Sequence, residues 1–108
     1  MSRIFALALA AAAASTSSAH EAPSGWEYDA ACCSDRDCGV MPFNRVTPGP
    51  DGWRVRVEPG EHHYYPGALD VVVPYDSRQI RHSQDTEFHL CLTSTGHLLC
   101  LYVPPLGG

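Results

Sequence analysis

The side chains best suited to metal binding, oxidation or catalysis in this chain of 108 amino acids are five cysteines and six histidines. Thiolate and imidazole together suit soft or borderline metal ions, and thiols in pairs oxidise to disulfides. The compartment decides between these two outcomes, so we first consider where the chain goes. The cysteines are Cys32, Cys33, Cys38, Cys91 and Cys100.

The N-terminal segment indicates export. Arg3 precedes an unbroken apolar run from Ile4 to Ala14, and the small residues Ser17 and Ala19 stand where a signal peptidase reads its site. This pattern is typical of a secretory signal peptide, and the run is too short to span a membrane. The sequence predicts a signal peptide over 1–19 and a single small domain over 20–108 with no transmembrane segment. We expect a periplasmic or secreted location.

Export favours disulfides, because the compartment outside the cytoplasm is oxidising. A domain of this size also has a core that is only marginally stable by itself, so disulfides would add needed stability. The pairing stays open. A bridge between Cys91 and Cys100 fits the geometry of the last predicted hairpin. A bridge from Cys32 or Cys33 to Cys100 closes a much longer loop and stabilises more in the chain-entropy model. Either scheme leaves one cysteine over. A thiol-dependent enzyme is a weaker alternative, because Cys32-Cys33 followed by Cys38 does not match a CxxC redox motif.

Histidines give a metal-binding alternative in two forms. In the first, His89 and one or more of Cys33, Cys38, Cys91 and Cys100 hold Zn(II) or Cu(I), since His89-x-Cys91 places both side chains on one strand face. In the second, His20 becomes the mature N-terminus and chelates Cu(II) through its amine and imidazole. His62 or His63 then supplies the third ligand.

Charge and motifs exclude some functions. The formal net charge is −5 and the chain has no lysine, so it lacks the basic face that non-specific nucleic-acid binding requires. The sequence contains no GxSxG, HExxH, Walker or dinucleotide-binding motif. These observations favour a binding or structural role over catalysis, with an envelope or extracellular ligand that the sequence does not identify.

Nine prolines and nine glycines divide the chain into short β-type runs. The sequence therefore predicts a small all-β or β-rich domain built from hairpins, stabilised by disulfides, with little helix beyond the signal peptide. The run Trp53–Glu58 alternates strictly and is expected to pair with 40–46 across a Pro-Gly turn. A third strand is predicted over 69–73, and 75–86 is predicted to be a polar surface loop.

The last hairpin has the most definite predicted register. If Thr95-Gly96 forms the turn, Cys91 lies opposite Cys100 and six apolar side chains share one face. A three-residue turn ending in Gly96 would shift that register by one residue. The six expected core residues are Phe88, Leu90, Leu92, Leu99, Leu101 and Val103.

Both ends of the predicted domain carry recognisable motifs. CC-x4-C at 32–38, FHxC at 88–91 and CLYVPP at 100–105 resemble the corresponding parts of an uncharacterised family of small exported cysteine-rich bacterial proteins. The resemblance does not cover the middle of the chain. It implies a compact exported domain and carries no activity that could be transferred.

Overall fold

The computed structural model describes residues 21–33 and 37–105, which form two β-sheets and contain two disulfides. The predicted signal peptide over 1–19 and His20 lie outside the described residues. The β-rich fold is confirmed, and a single 3-10 turn over Phe43–Arg45 is the helical element of the described part. The strands are β1 (Cys38–Met41), β2 (Val46–Pro48), β3 (Gly52–Val57), β4 (Leu69–Pro74), β5 (Ile80–His82), β6 (Phe88–Leu92) and β7 (Leu98–Val103).

The smaller sheet has the antiparallel order β2-β3-β4. Trp53, Val55 and Val57 of β3 are buried, whereas Arg54 and Arg56 are exposed. This alternation is the predicted one, and it presents three apolar side chains to the core between the sheets. The third predicted strand is confirmed as β4.

The prediction that 40–46 pairs with β3 was wrong except at Val46. The strand that pairs with β3 on this side is Val46–Pro48, whereas Val40 and Met41 belong to Cys38–Met41 in the other sheet. Pro42 lies between these two strands and cannot donate to a ladder, and the 3-10 turn after it redirects the chain. The segment 38–48 therefore contributes one strand to each of the two sheets.

The larger sheet has the order β1-β6-β7-β5, in which β5 runs parallel to β7 and the other pairs are antiparallel. All five residues of β6 are buried. One face of this sheet packs on the smaller sheet, and segment 21–33 covers the other face. The strand is buried throughout because both faces are covered.

The prediction of a surface loop over 75–86 was wrong in part. Ile80–His82 forms an edge strand, and Ser83 directly after it is buried. A strand of three residues is too short to show an alternating pattern. Its partner β7 is parallel and distant in sequence, so no turn signal beside it predicts a hairpin.

The register of the last hairpin is confirmed as far as Cys91, which lies opposite Cys100. A bulge then pairs Leu92 with Leu98, because the turn has three residues and ends in Gly96 at a φ of 94°. Leu98 consequently packs on the core between the sheets, and Leu99 packs against the cluster under segment 21–33. The prediction that Leu99 joins the inter-sheet core was wrong. The other five members pack in that core: Phe88, Leu90, Leu92 and Leu101 buried, and Val103 partly buried.

Candidate functional site

The disulfides join Cys32 to Cys100 and Cys38 to Cys91. Cys91 and Cys100 are cross-strand neighbours, but the geometrically plausible bridge between them does not form. Segment 21–33 brings Cys32 to that face of the sheet, and β1 places Cys38 opposite Cys91 in its ladder with β6. The long-range alternative is therefore the one that the fold uses.

Cys33 is the cysteine that forms no disulfide, and it is fully buried. It lies in a cluster with Tyr28 and Tyr102, both of which are also buried. Burial raises the pKa of the Tyr28 hydroxyl, and the nearby Cys33 raises it further. A thiol without solvent access cannot reach a substrate in this conformation, so the arrangement gives no support to a thiol-dependent enzyme.

A buried hydrogen-bond chain runs from Tyr28 through His89 to Asp85. The Tyr28 hydroxyl lies 2.7 Å from Nδ1 of His89, and His89 Nε2 lies 2.9 and 3.0 Å from the two Asp85 oxygens. Because a carboxylate accepts only, Nε2 of His89 carries a proton and donates to Asp85, and in the neutral ring that tautomer leaves Nδ1 to accept from the Tyr28 hydroxyl. Asp85 also accepts from Ser24 Oγ at 2.7 Å and from Trp26 Nε1 at 3.0 Å.

The charges in the Tyr28–His89–Asp85 hydrogen-bond chain depend on the groups that donate to Asp85. Burial by itself raises the pKa of the Asp85 carboxyl, but hydrogen bonds from His89, Ser24 and Trp26 outweigh burial and hold that pKa well below its usual range. Asp85 is therefore an anion at neutral pH, and the raised pKa of Tyr28 keeps its hydroxyl neutral. His89 has no exposed surface, so the chain fastens segment 21–33 to the sheet and offers no reactive group to solvent.

The arrangement around His89 does not support the predicted Zn(II) or Cu(I) site. Both His89 ring nitrogens have protein partners, and Cys38, Cys91 and Cys100 are consumed in disulfides. Within residues 21–33 and 37–105, no three His, Cys, Asp or Glu side chains group as metal ligands.

His62 and His63 stack with ring centroids 5.1 Å apart. Nδ1 of His62 accepts from the Tyr64 N–H at 3.1 Å, so Nε2 carries the proton and donates to the Leu90 carbonyl at 2.9 Å. Burial lowers the pKa of His62, which keeps the ring neutral. His62 thus ties its loop to β6. The predicted copper site also needs His20, which lies outside the described residues.

An accessible groove of about 460 Å³ lies where the free edge of β5 meets the corner between β3 and β4. Tyr75 forms one wall and is half exposed, and its ring stands edge-on to Trp53 with centroids 5.8 Å apart. The other lining residues are Ile80, His82, Ser83, Val103, Pro104 and Pro105. The lining is predominantly aromatic, aliphatic and proline, which is typical of small-ligand and peptide sites.

Sequence reasoning did not find this groove, because its floor needs β5 and its walls come from both sheets. The available signal was the pair of proline-containing segments Pro74-Tyr75 and Pro104-Pro105, which both border it. A second hollow, of about 390 Å³, is lined by Arg56, Glu58, Asp70 and their neighbours and has a more polar surface.

Among the described residues, no helix is long and apolar enough to cross a membrane. Comparison of the chain with family models, curated proteins and solved structures finds no match.

Proposed function

We propose that this chain is an exported, disulfide-stabilised domain with a binding role in the cell envelope or outside the cell, and that the groove is its binding surface. The observation that carries this proposal is a division of roles. The cysteines, His62 and His89 are committed to buried structural contacts, whereas the groove offers exposed apolar and aromatic surface. Apolar concave surface with a few polar groups is the usual character of a binding site.

Export is supported by two independent features. The N-terminal run from Ile4 to Ala14 is typical of a signal peptide, and two disulfides in a small domain are typical of oxidising compartments. Intact-mass analysis of the exported protein should show a chain that begins at His20. A mature protein that retains Ile4 would contradict export by this route.

The motifs that carry the family resemblance contain two groups of residues, one that stabilises the fold and one that lines the groove. Its cysteine motifs supply both bridges, whereas CLYVPP ends in Val103, Pro104 and Pro105, which line the groove. This placement supports a domain in which one set of residues holds the fold and another meets the ligand.

A fragment screen on isotope-labelled protein tests the groove. Aromatic and heterocyclic fragments should perturb the NMR signals of the Trp53 indole and of the Ile80 and Val103 methyls. Tyr75→Ala removes one aromatic wall and should weaken the best fragment by roughly fivefold. Phe43→Ala, which removes an exposed aromatic ring outside the groove, is the matched control and should leave the affinity unchanged. Perturbations centred on Arg56 and Asp70 instead would contradict the proposal.

A further inference from the structure

The main-chain groups of β5 divide between its two sides. The Gln79 carbonyl accepts from the Leu101 N–H at 2.8 Å, and the Ser83 N–H donates to the Val103 carbonyl at 2.9 Å. In a parallel ladder alternate residues direct both main-chain groups to the same side. Gln79, Arg81 and Ser83 therefore face β7, and the residues between them face away from it.

Most main-chain groups on the outward side of β5 have no main-chain partner among the described residues. The Ile80 N–H is bonded to the Ser77 carbonyl at 3.2 Å. The Ile80 carbonyl and both main-chain groups of His82 have no main-chain partner within residues 21–33 and 37–105. Two acceptors and one donor thus stand in a row at the end of the sheet order.

This edge borders the groove. Ile80 and His82 are in register with Leu101 and Val103, so their side chains lie on the sheet face that packs towards Trp53. A strand added beside β5 would direct alternate side chains to that same face. Those side chains would enter the groove between β5 and the aromatic wall.

We propose that the groove binds an extended peptide segment of another protein, which adds a strand to the free edge of β5 and places an apolar or aromatic side chain between Tyr75 and Val103. The inference rests on the proposed binding function and names its partner class. The edge selects a peptide main chain, because a row of two carbonyls and one N–H complements an extended backbone. Among the described residues that line the groove there is no Asp, Glu, Lys or Arg, so a neutral side chain fits it.

The first experiment leaves the protein unchanged and alters the peptide backbone. The probe is acetyl-Lys-Val-Tyr-Val-Lys-amide, and calorimetry gives its affinity. Two further peptides carry a single N-methyl group, one on the tyrosine amide and one on the following valine amide. Only one of these adjacent amides can face β5, so one methylation should weaken binding roughly tenfold and the other less than roughly twofold.

The second experiment alters the protein edge. His82→Pro removes the outward N–H and leaves the ladder with β7 intact, because proline suits an edge strand whose N–H faces outward. It should weaken the unmethylated peptide roughly tenfold. His82→Ala removes the same side chain from the groove but keeps the N–H, so the roughly tenfold loss in His82→Pro is measured relative to His82→Ala. Thermal melting of both variants checks folding, and the methylated peptides carry the test if His82→Pro unfolds.

Four results would overturn the inference. Equal affinity of both methylated peptides and the parent would show that no backbone pairing occurs. Fragments that bind the groove when no peptide does would exclude peptides and leave the proposed binding function standing. A dimer in sedimentation without peptide, lost in His82→Pro, would make a second copy of the chain the occupant. If neither fragments nor peptides bind, the proposed function fails as well.

Discussion

Among single residues, Asp85 makes the most consequential contacts. Its carboxylate accepts hydrogen bonds from His89, Ser24 and Trp26, so one side chain ties the segment before β6 to segment 21–33. A partly buried anion with several donors is stabilised relative to its protonated form. The contact therefore depends on pH.

Acid should weaken the fold through Asp85. The folded-state pKa is depressed, so the unfolded chain binds a proton more readily, and the contribution of Asp85 is present above the unfolded pKa of about 3.9 and lost as the pH falls below it. Urea midpoints at pH 7 and pH 3 should differ less in Asp85→Asn than in the wild type. Asp70→Asn alters an exposed pair with Arg54 and should keep the wild-type slope. Equal slopes in Asp85→Asn and the wild type would contradict this role.

Removal of the Tyr28 hydroxyl should cost more than removal of an exposed one. Tyr28→Phe leaves buried Nδ1 of His89 without its hydrogen-bond partner, which should lower the free energy of unfolding by roughly 1–3 kcal/mol. Tyr65→Phe deletes an exposed hydrogen bond to the Ala68 carbonyl and should cost less than about 0.5 kcal/mol. Denaturant unfolding measures both. Similar losses would show that His89 finds another donor.

The sequence identified His89 and the cysteines as candidate metal ligands or disulfide partners, but it could not show which residues they contact. Tyr28 and His89 are 61 residues apart, and Asp85 lies in a polar segment with no periodicity. Long-range polar pairs leave no local pattern, because their geometry exists only once the sheet has formed. The leftover Cys33 could be expected from the odd count, whereas its burial could not.

Among the elements, β6 carries the core, because both of its faces are covered. Leu90 is fully buried between the sheets. Leu90→Ala should destabilise the domain by roughly 2–5 kcal/mol. Val72→Ala on the outer face of β4, where Val72 is 51% exposed, should cost less than about 0.5 kcal/mol. Equal midpoint shifts in urea would place Leu90 outside the core.

The local alternation of apolar and polar residues predicted the strands that show it, and it missed the strands that do not. Strict alternation gave β3, and the apolar pairing around Cys91 and Cys100 gave most of the last hairpin. The bulge at Leu92 depends on the turn length, which Thr95-Gly96 left ambiguous. Parallel pairing of β5 depends on a distant strand, so no residue near Ile80 announced it.

At the scale of the whole molecule, both disulfides join the first part of the domain to its last hairpin, across sequence separations of 68 and 53. Long loops lose the most entropy when they are closed. The double variant Cys32→Ala/Cys100→Ala should therefore lose roughly 2–5 kcal/mol of stability.

Cys33→Ala is the control, since it keeps both bridges and should lose less stability than the double variant. Non-reducing peptide mapping should recover Cys32 with Cys100 and Cys38 with Cys91, and Cys33 should be alkylated only after denaturation. A peptide that links Cys91 to Cys100 would contradict this pairing.

The spacing of these bridges also constrains how the protein is made. Synthesis runs from the N-terminus, so Cys32, Cys33 and Cys38 become available long before Cys91 and Cys100. Any bridge formed during that interval within the nascent chain joins two of the first three cysteines and is non-native. Maturation then requires that oxidation waits for the last hairpin, or that thiol–disulfide exchange rearranges the early bridge. Cys33 raises the number of possible early bridges from one to three, which makes this dependence stronger.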